Sequence, residues 1–203
     1  MKIGPKYKIA RRLGAPIFEK TQTQKFASSK KKARVSRGGR PGAKTDFGRQ
    51  LIEKQKARLT YGITERQFSK YVKNIINKKV LKANDALFKT LETRLDNVAY
   101  RTGLASTRRF GRQMTSHGHI LVNGVKITIP SYQVKKGDVI TIREGSVAKG
   151  PFSNLEEKLK GIEIPVWISR DEKEKKWVVS GEPKVEGESL LFDLGSVFEY
   201  YRR

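Results

Sequence analysis

Three local groupings of residues in this chain of 203 could carry chemistry. His117-Gly118-His119 holds the only two histidines, and an i, i+2 spacing across a helix end could bring both imidazoles to one ion. A metal site needs more ligands, and with no cysteine and no carboxylate cluster nearby we expect no metal and no cofactor. Arg94-Leu95-Asp96 offers a candidate catalytic aspartate, yet Leu95 fits a helical apolar stripe and Asp96 can pair with Arg101 or its neighbours. A structural aspartate is the stronger account. The third grouping is cationic: on one short helix, Arg108, Arg109, Arg112 and Gln113 could present several forked donors to phosphates, a geometry that favours Arg over Lys. Around it, His117, His119, Asn123, Ser131, Tyr132 and Lys135 supply further donors and one stacking ring, a set that by composition alone leaves RNA and DNA both open.

These residues need elements to position them. Thr45-Asp46 caps a helix running to about Leu59, and Thr64-x-x-Gln67 has the pattern of a capping box. Phe68, Tyr71, Val72, Ile75 and Ile76 then follow the stripe of an amphipathic helix. A single helix is expected from about Asp85 to Thr102, with Leu87, Leu91, Leu95 and Val98 buried and Gly103 as its stop. The cationic helix starts at Ser106 or Thr107 and runs to about Ser116, with Phe110 and Met114 left for the core. The apolar period then changes from 3.6 to 2. His119 to Val122, Asn123-Gly124 and Val125 to Ile129 read as a β-hairpin, because Asn-Gly readily supplies the positive φ angles of a type I′ turn. Val139 to Arg143 adds a strand, completing an α-α-β-β-β module over about 85–145. Asn154 to Lys160 suggests a short helix, Val166 to Ser169 and Lys176 to Ser180 suggest strands, and the apolar end from Leu190 to Tyr201 should pack onto something.

Composition narrows the function. The chain has 44 Lys and Arg against 20 Asp and Glu, a net charge of +24, so a polyanion is the expected partner, nucleic acid ahead of anionic lipid. The excess is not spread evenly: residues 1–80 hold 23 basic and 4 acidic side chains, whereas residues 144–203 hold 10 and 12. Charge serving only solubility would have no such gradient. Within the head, Glu19 to Lys44 has nine basic residues and scattered apolar ones, too few to offset ordering entropy, and reads as an arm ordered by RNA phosphates. Lack of cysteine rules out disulfides, thiolate catalysis and iron–sulfur clusters. With no apolar run of spanning length and no signal-like stretch in residues 1–20, a soluble, intracellular protein with no membrane partner is expected.

Longer motifs carry a resemblance. Leu91 through Gly103, Thr107-Arg108, Arg112-Gln113, His117-Gly118-His119, Val122-Asn123-Gly124, Pro130-Ser131-Tyr132 and Lys136-Gly137-Asp138 are similar to the RNA-binding module of small-subunit ribosomal protein four. Gly4-Pro5-Lys6-Tyr7-Lys8, Arg11-Arg12-Leu13-Gly14, Pro41-Gly42, Gly48 to Lys56, Tyr61-Gly62, Glu65 to Phe68 and Pro165-Val166-Trp167 extend the likeness over nearly the whole chain.

The resemblance implies an α+β fold, in which residues 1–84 and 161–203 form a mainly helical rRNA-binding domain with a basic arm at 19–44. Residues 85–160 would be the inserted small α-α-β module. It implies a cytoplasmic, non-enzymatic constituent of the small ribosomal subunit that binds the five-way junction of small-subunit ribosomal RNA and nucleates assembly of the subunit body. It implies contact with small-subunit ribosomal protein five and a place beside the channel through which mRNA enters, with a contribution to translational accuracy. The zinc that some members hold through cysteines is not carried over, since Lys, Ser and Arg fill that region. The rRNA-binding residues expected are Lys6, Tyr7, Arg11, Arg12, Arg40, Arg49, Lys54, Arg58, Arg66, Gln67 and Arg94, with the cationic helix and its companions named above. The alternative is an RNA-modifying enzyme, because Arg94-Leu95-Asp96 resembles the catalytic motif of pseudouridine synthases. In those enzymes, however, the motif sits in a separate larger domain.

Overall fold

The computed structural model describes residues 3–24, 26–27, 45–147, 152, 159, 162–171, 175–185 and 190–203. Two compact units emerge, one from residues 1–87 with 187–203 and the other from residues 88–186.

In the first unit, side-chain caps decide where helices start. Helix α1 (Lys6–Leu13) follows Pro5 and ends at Gly14. Helix α2 (Asp46–Thr60) opens where Thr45 Oγ1 accepts the Gly48 amide, and α3 (Glu65–Asn77) where Thr64 Oγ1 accepts that of Gln67. Only half of the expected capping box forms, since the Gln67 side chain donates to the Tyr71 hydroxyl at 3.0 Å. Phe68, Val72 and Ile75 are buried along α3, as their spacing requires. The C-terminal apolar stretch becomes a helix, Leu194–Arg202, whose first turn is closed by the Asp193 carboxylate accepting the Gly195 and Ser196 amides. It packs on α2 and α3. The arm departs from expectation at its start: Glu19–Thr21 form a 3-10 turn, and Thr21 and Phe26 are buried, Phe26 in a core with Ala10, Leu13, Phe18 and Leu59. The rest of the arm, residues 28–44 with Arg40, lies outside the described residues.

In the second unit, the expected single helix is two. Helix α4 (Ala83–Glu92), whose first residues lie in the first unit, stops before Thr93, and α5 (Leu95–Arg101) begins after Arg94. The interruption has a long-range cause. Arg94 forms an isolated antiparallel bridge with Gln133, the Val134 amide donates to Thr93 O, and the Leu95 and Asp96 amides donate to the carbonyls of Tyr132 and Pro130. The apolar stripe continues through the break, with Leu87, Leu91, Leu95 and Val98 all buried. Helix α6 (Arg108–Ser116) starts at the Thr107 cap.

The hairpin forms at Asn123-Gly124, both at positive φ (51° and 77°), between β1 (Ile120–Val122) and β2 (Val125–Lys126). Its second strand is shorter than expected. Strand β3 (Val139–Ile142) pairs with β1, and a short helix α7 (Glu144–Val147) follows. The expected helix from Asn154 to Lys160 falls almost wholly outside the described residues.

Strands β4 (Ile168–Asp171) and β5 (Lys176–Val179) extend the same antiparallel sheet, in the order β2-β1-β3-β5-β4. The expected module end at residue 160 is thus too early, because β3 has a second edge and β5 takes it, with Ile140 opposite Trp177. Trp177, fully buried, joins Leu95, Val98, Met114, Ile120 and Ile140 in one core.

The first unit is also closed by charge. Glu65 Oε1 accepts from Lys54 Nζ at 2.8 Å and from the Tyr201 hydroxyl at 2.7 Å, and Arg58 lies 3.3 Å from Oε2. Burial raises the Glu65 pKa, but the Lys54 and Tyr201 hydrogen bonds, with the Lys54 and Arg58 charges, outweigh it and hold the carboxyl below the ordinary glutamate value. A lowered folded pKa gives stability that is present above the ordinary value of about 4.3 and is lost as pH falls through the folded one. Thermal melts of the whole chain should therefore separate wild type from Glu65→Gln most at neutral pH, and the gap should close as the pH drops below about 4.

Candidate nucleic-acid interface

The module builds its site from the inside outward. Asp96 is only 3% exposed, and Arg94, at 1%, is clamped on it with Nε to Oδ1 at 3.0 Å and Nη2 to Oδ2 at 2.8 Å. On the outer side, Arg112 donates to Asp96 Oδ2 from Nε at 2.9 Å and from Nη2 at 2.7 Å, while its side chain stays 29% exposed. A parallel set lies alongside. The Glu92 carboxylate accepts from Arg101 Nε and Nη2 and from Asn97 Nδ2, and Asn97 Oδ1 accepts Arg108 Nε at 2.7 Å. The Arg108 guanidinium also sits 4.4 Å from the Tyr100 ring centre. Charged groups so deeply enclosed persist only when paired and hydrogen-bonded, and each carboxylate here meets at least one guanidinium.

Close helix packing makes this possible. A Cβ placed on Gly111 of α6 would fall 2.5 Å from the Asp96 carbonyl oxygen of α5. Glycine here lets the two helices approach until Arg112 reaches Asp96.

Several expected site residues do cluster on and near α6. Arg108, Arg109, Arg112 and Gln113 occupy that helix; Arg109 and Gln113 are exposed, and Arg108 and Arg112 are half-buried. His117 is exposed just beyond it, whereas His119 turns partly inward, its Nδ1 2.9 Å from Ser146 Oγ and its ring edge-on to Phe152. Asn123 is exposed but engaged in the turn, with Nδ2 donating to Asp138 Oδ1 and Oδ1 accepting the Val139 amide. Ser131 is half-buried, Tyr132 packs against the core, and Lys135 is exposed.

In the first unit, Lys6 is half-buried and Tyr7, Arg11, Arg12, Arg49 and Arg66 are exposed. Arg12 donates to Gln55, and Arg49 pairs with Asp46. Arg58 and Gln67 are half-buried, Arg58 ion-paired with Glu65 and Gln67 donating to the Tyr71 hydroxyl.

Two expected contacts are corrected. Arg94 is an interior residue whose guanidinium is spent on Asp96, and Lys54, 6% exposed, is enclosed by Glu65 and the Tyr200 ring. Neither presents its charge to a polyanion. Asp96 pairs with Arg94 and Arg112, while Arg101 takes Glu92 instead. The Asp96 carboxylate, expected as a structural aspartate, is enclosed between two guanidiniums. The pairing of Arg101 with Glu92 was not expected, since nothing local in the sequence links residues nine positions apart.

The chain is thus basic and α+β, and its second unit has two helices sharing a core with a hairpin-led antiparallel sheet, with arginines set along one of those helices. Residues 1–92 match the family described as "Ribosomal protein S4/S9 N-terminal domain", and residues 93–140 match the S4 domain. The chain is 39% identical over 199 residues to the small ribosomal subunit protein uS4 of Dehalococcoides mccartyi, covering 97% of this chain and 96% of that protein. It is 40% identical over 208 residues to that of Chromobacterium violaceum (99% and 98%), and 43% identical over 166 residues to that of Mycolicibacterium smegmatis (81% and 80%). The chain belongs to the uS4 family of small-subunit ribosomal proteins.

Breaking the interior pair and removing a surface charge should have separable effects. Arg94→Met leaves Asp96 buried with one partner fewer and should lower the free energy of unfolding by about 3 kcal/mol, read from urea midpoints. Arg109→Ala, on the exposed face, should change it by less than about 0.5 kcal/mol.

Proposed function

We propose that the chain is a structural, rRNA-binding protein of the small ribosomal subunit, acting in the cytoplasm as part of that subunit. The observation that carries this is a likeness to ribosomal relatives along essentially the entire chain, 40% identity over 99% of its length. The charge gradient and the arginines of α6 support the role: cations concentrate in residues 1–143, and α6 carries forked donors of the kind that suit phosphates. Capture by long-range attraction comes first, and shape recognition by the fixed guanidiniums and the hairpin follows.

The finer reading assigns the RNA surface of the module to Arg108, Arg109, Arg112, Gln113, His117, Asn123, Ser131 and Lys135. The helical unit would contribute Lys6, Tyr7, Arg11, Arg12, Arg49, Arg58 and Arg66, with Arg40 of the basic arm. Division of labour follows: the helical unit with its arm holds rRNA over a broad surface, and the module docks a folded feature. In the subunit, the protein would nucleate assembly of the body, touch small-subunit ribosomal protein five and lie beside the channel through which mRNA enters, contributing to accuracy.

Competition among a small-subunit rRNA fragment containing the five-way junction, duplex DNA and anionic vesicles tests the reading. The rRNA should win, and its affinity should fall by several orders of magnitude between about 50 and 200 mM salt if six to ten phosphates are contacted. Equal affinity for DNA and rRNA, or a flat salt response, would contradict it.

A further inference from the structure

The polar residues buried along α5 end in arginines that reach the surface, and we propose that Asp96 is a positioning residue for RNA recognition, fixing the Arg112 guanidinium in the orientation that meets the RNA. The inference rests on the reading of the module as an rRNA-binding surface.

Arg94 fixes the carboxylate plane through two hydrogen bonds from inside, and the same carboxylate takes two N–H groups of Arg112 from outside. Orientation is thereby passed from a residue 1% exposed to one whose side chain is 29% exposed. Asn97 does the same for Arg108: its amide is oriented by donating to Glu92 O at 3.0 Å and Glu92 Oε2 at 2.9 Å, so its oxygen must point to Arg108 Nε. The Tyr100 ring holds the Arg108 face. Gly111 sets the spacing between the helices on which both pairs depend.

Core stability alone gives little reason for this design. A buried ion cluster contributes no more to stability than a well-packed apolar set of similar volume, and often less. What it supplies is direction. A free arginine loses rotamer freedom when it binds phosphate, whereas one already held on a carboxylate has lost it on folding. Arginine is also the cation for which orientation matters, since its donors form a planar fork.

The proposal makes a prediction opposite in sign to that of simple charge. Asp96→Asn removes a negative charge from the RNA-facing module, so long-range attraction alone would tighten binding. Loss of positioning weakens it.

The test uses the full chain and the five-way-junction rRNA fragment in filter binding at fixed salt, with wild type, Asp96→Asn, Arg112→Ala and the double variant. Asp96→Asn should bind about tenfold more weakly than wild type, and adding it to Arg112→Ala should cost less than about twofold more, because its effect passes through that side chain. Unchanged or tighter binding by Asp96→Asn overturns the proposal, as does an equal loss in both backgrounds, which would leave Asp96 a purely structural role. If circular dichroism shows Asp96→Asn unfolded, Arg112→Lys decides: it keeps the charge and lacks the fork, so affinity should fall about tenfold at a melting temperature near wild type. Unchanged affinity there overturns the proposal. Wild type failing to prefer this RNA refutes the underlying rRNA reading, and the inference with it.

Discussion

One buried carboxylate, Asp96, joins what would otherwise be separate pieces of the module. It follows the break between α4 and α5, accepts Arg94 from within and Arg112 from α6, and its backbone amide donates to Pro130 in the segment that leads towards β3. Remove the carboxylate and the Arg94 guanidinium loses its partner in an interior where solvent cannot replace it, while Arg112 loses its hold from the outer side. The helix pair, the segment 130–134 and the cationic face of α6 therefore share one anchor. The break at Thr93–Arg94 is part of the same construction, since a continuous helix would deny those backbone groups to the bridge with Gln133.

The helical unit solves a similar problem in a similar way. Its Lys54, Glu65 and Tyr201 come from three helices and meet in one cluster, with Arg58 at its margin. Acidic residues are scarce in this chain, 20 against 44 basic ones. Several of them are used where a cation, a helix end or a turn must be held: Glu92 and Asp96 in interior pairs, Glu65 on the buried Lys54 from an exposed position, Asp193 at a cap, and Asp138 on the hairpin turn. Asp193 is kept ionised chiefly by the Ser196 hydroxyl, with the backbone amides of Ser196 and Gly195 adding to it against partial burial. Acids committed to structure leave the surface cations with fewer local partners, and the net field that attracts a polyanion is preserved.

Local signals in the sequence carried most of the element starts. Thr45, Thr64 and Thr107 each cap the helix expected of them, and Asn123-Gly124 makes its hairpin because the required backbone angles belong to those two residue types. Legibility failed where the deciding partner was distant. The apolar stripe runs unbroken through Thr93–Arg94, so periodicity cannot reveal that residues 130–134 interrupt the helix there. The pairing of β5 with β3 joins Trp177 to Ile140, and no spacing signal spans that interval. Carrying every matching cation over from the family likeness as a contact placed Arg94 and Lys54 at the surface. Only their carboxylate partners, met through the fold, show them to be interior.

Pre-organisation is the claim on which this account stands, and amide hydrogen exchange of the free and rRNA-bound protein tests it most directly. The amides of Leu95, Asp96 and Val134 donate to Tyr132, Pro130 and Thr93 in the chain by itself. They should already exchange slowly in the free protein, by a factor set by global unfolding, and change little when RNA binds. Fast exchange at these three amides in the free protein, slowed only on RNA binding, would mean that the RNA builds the site and would contradict the account.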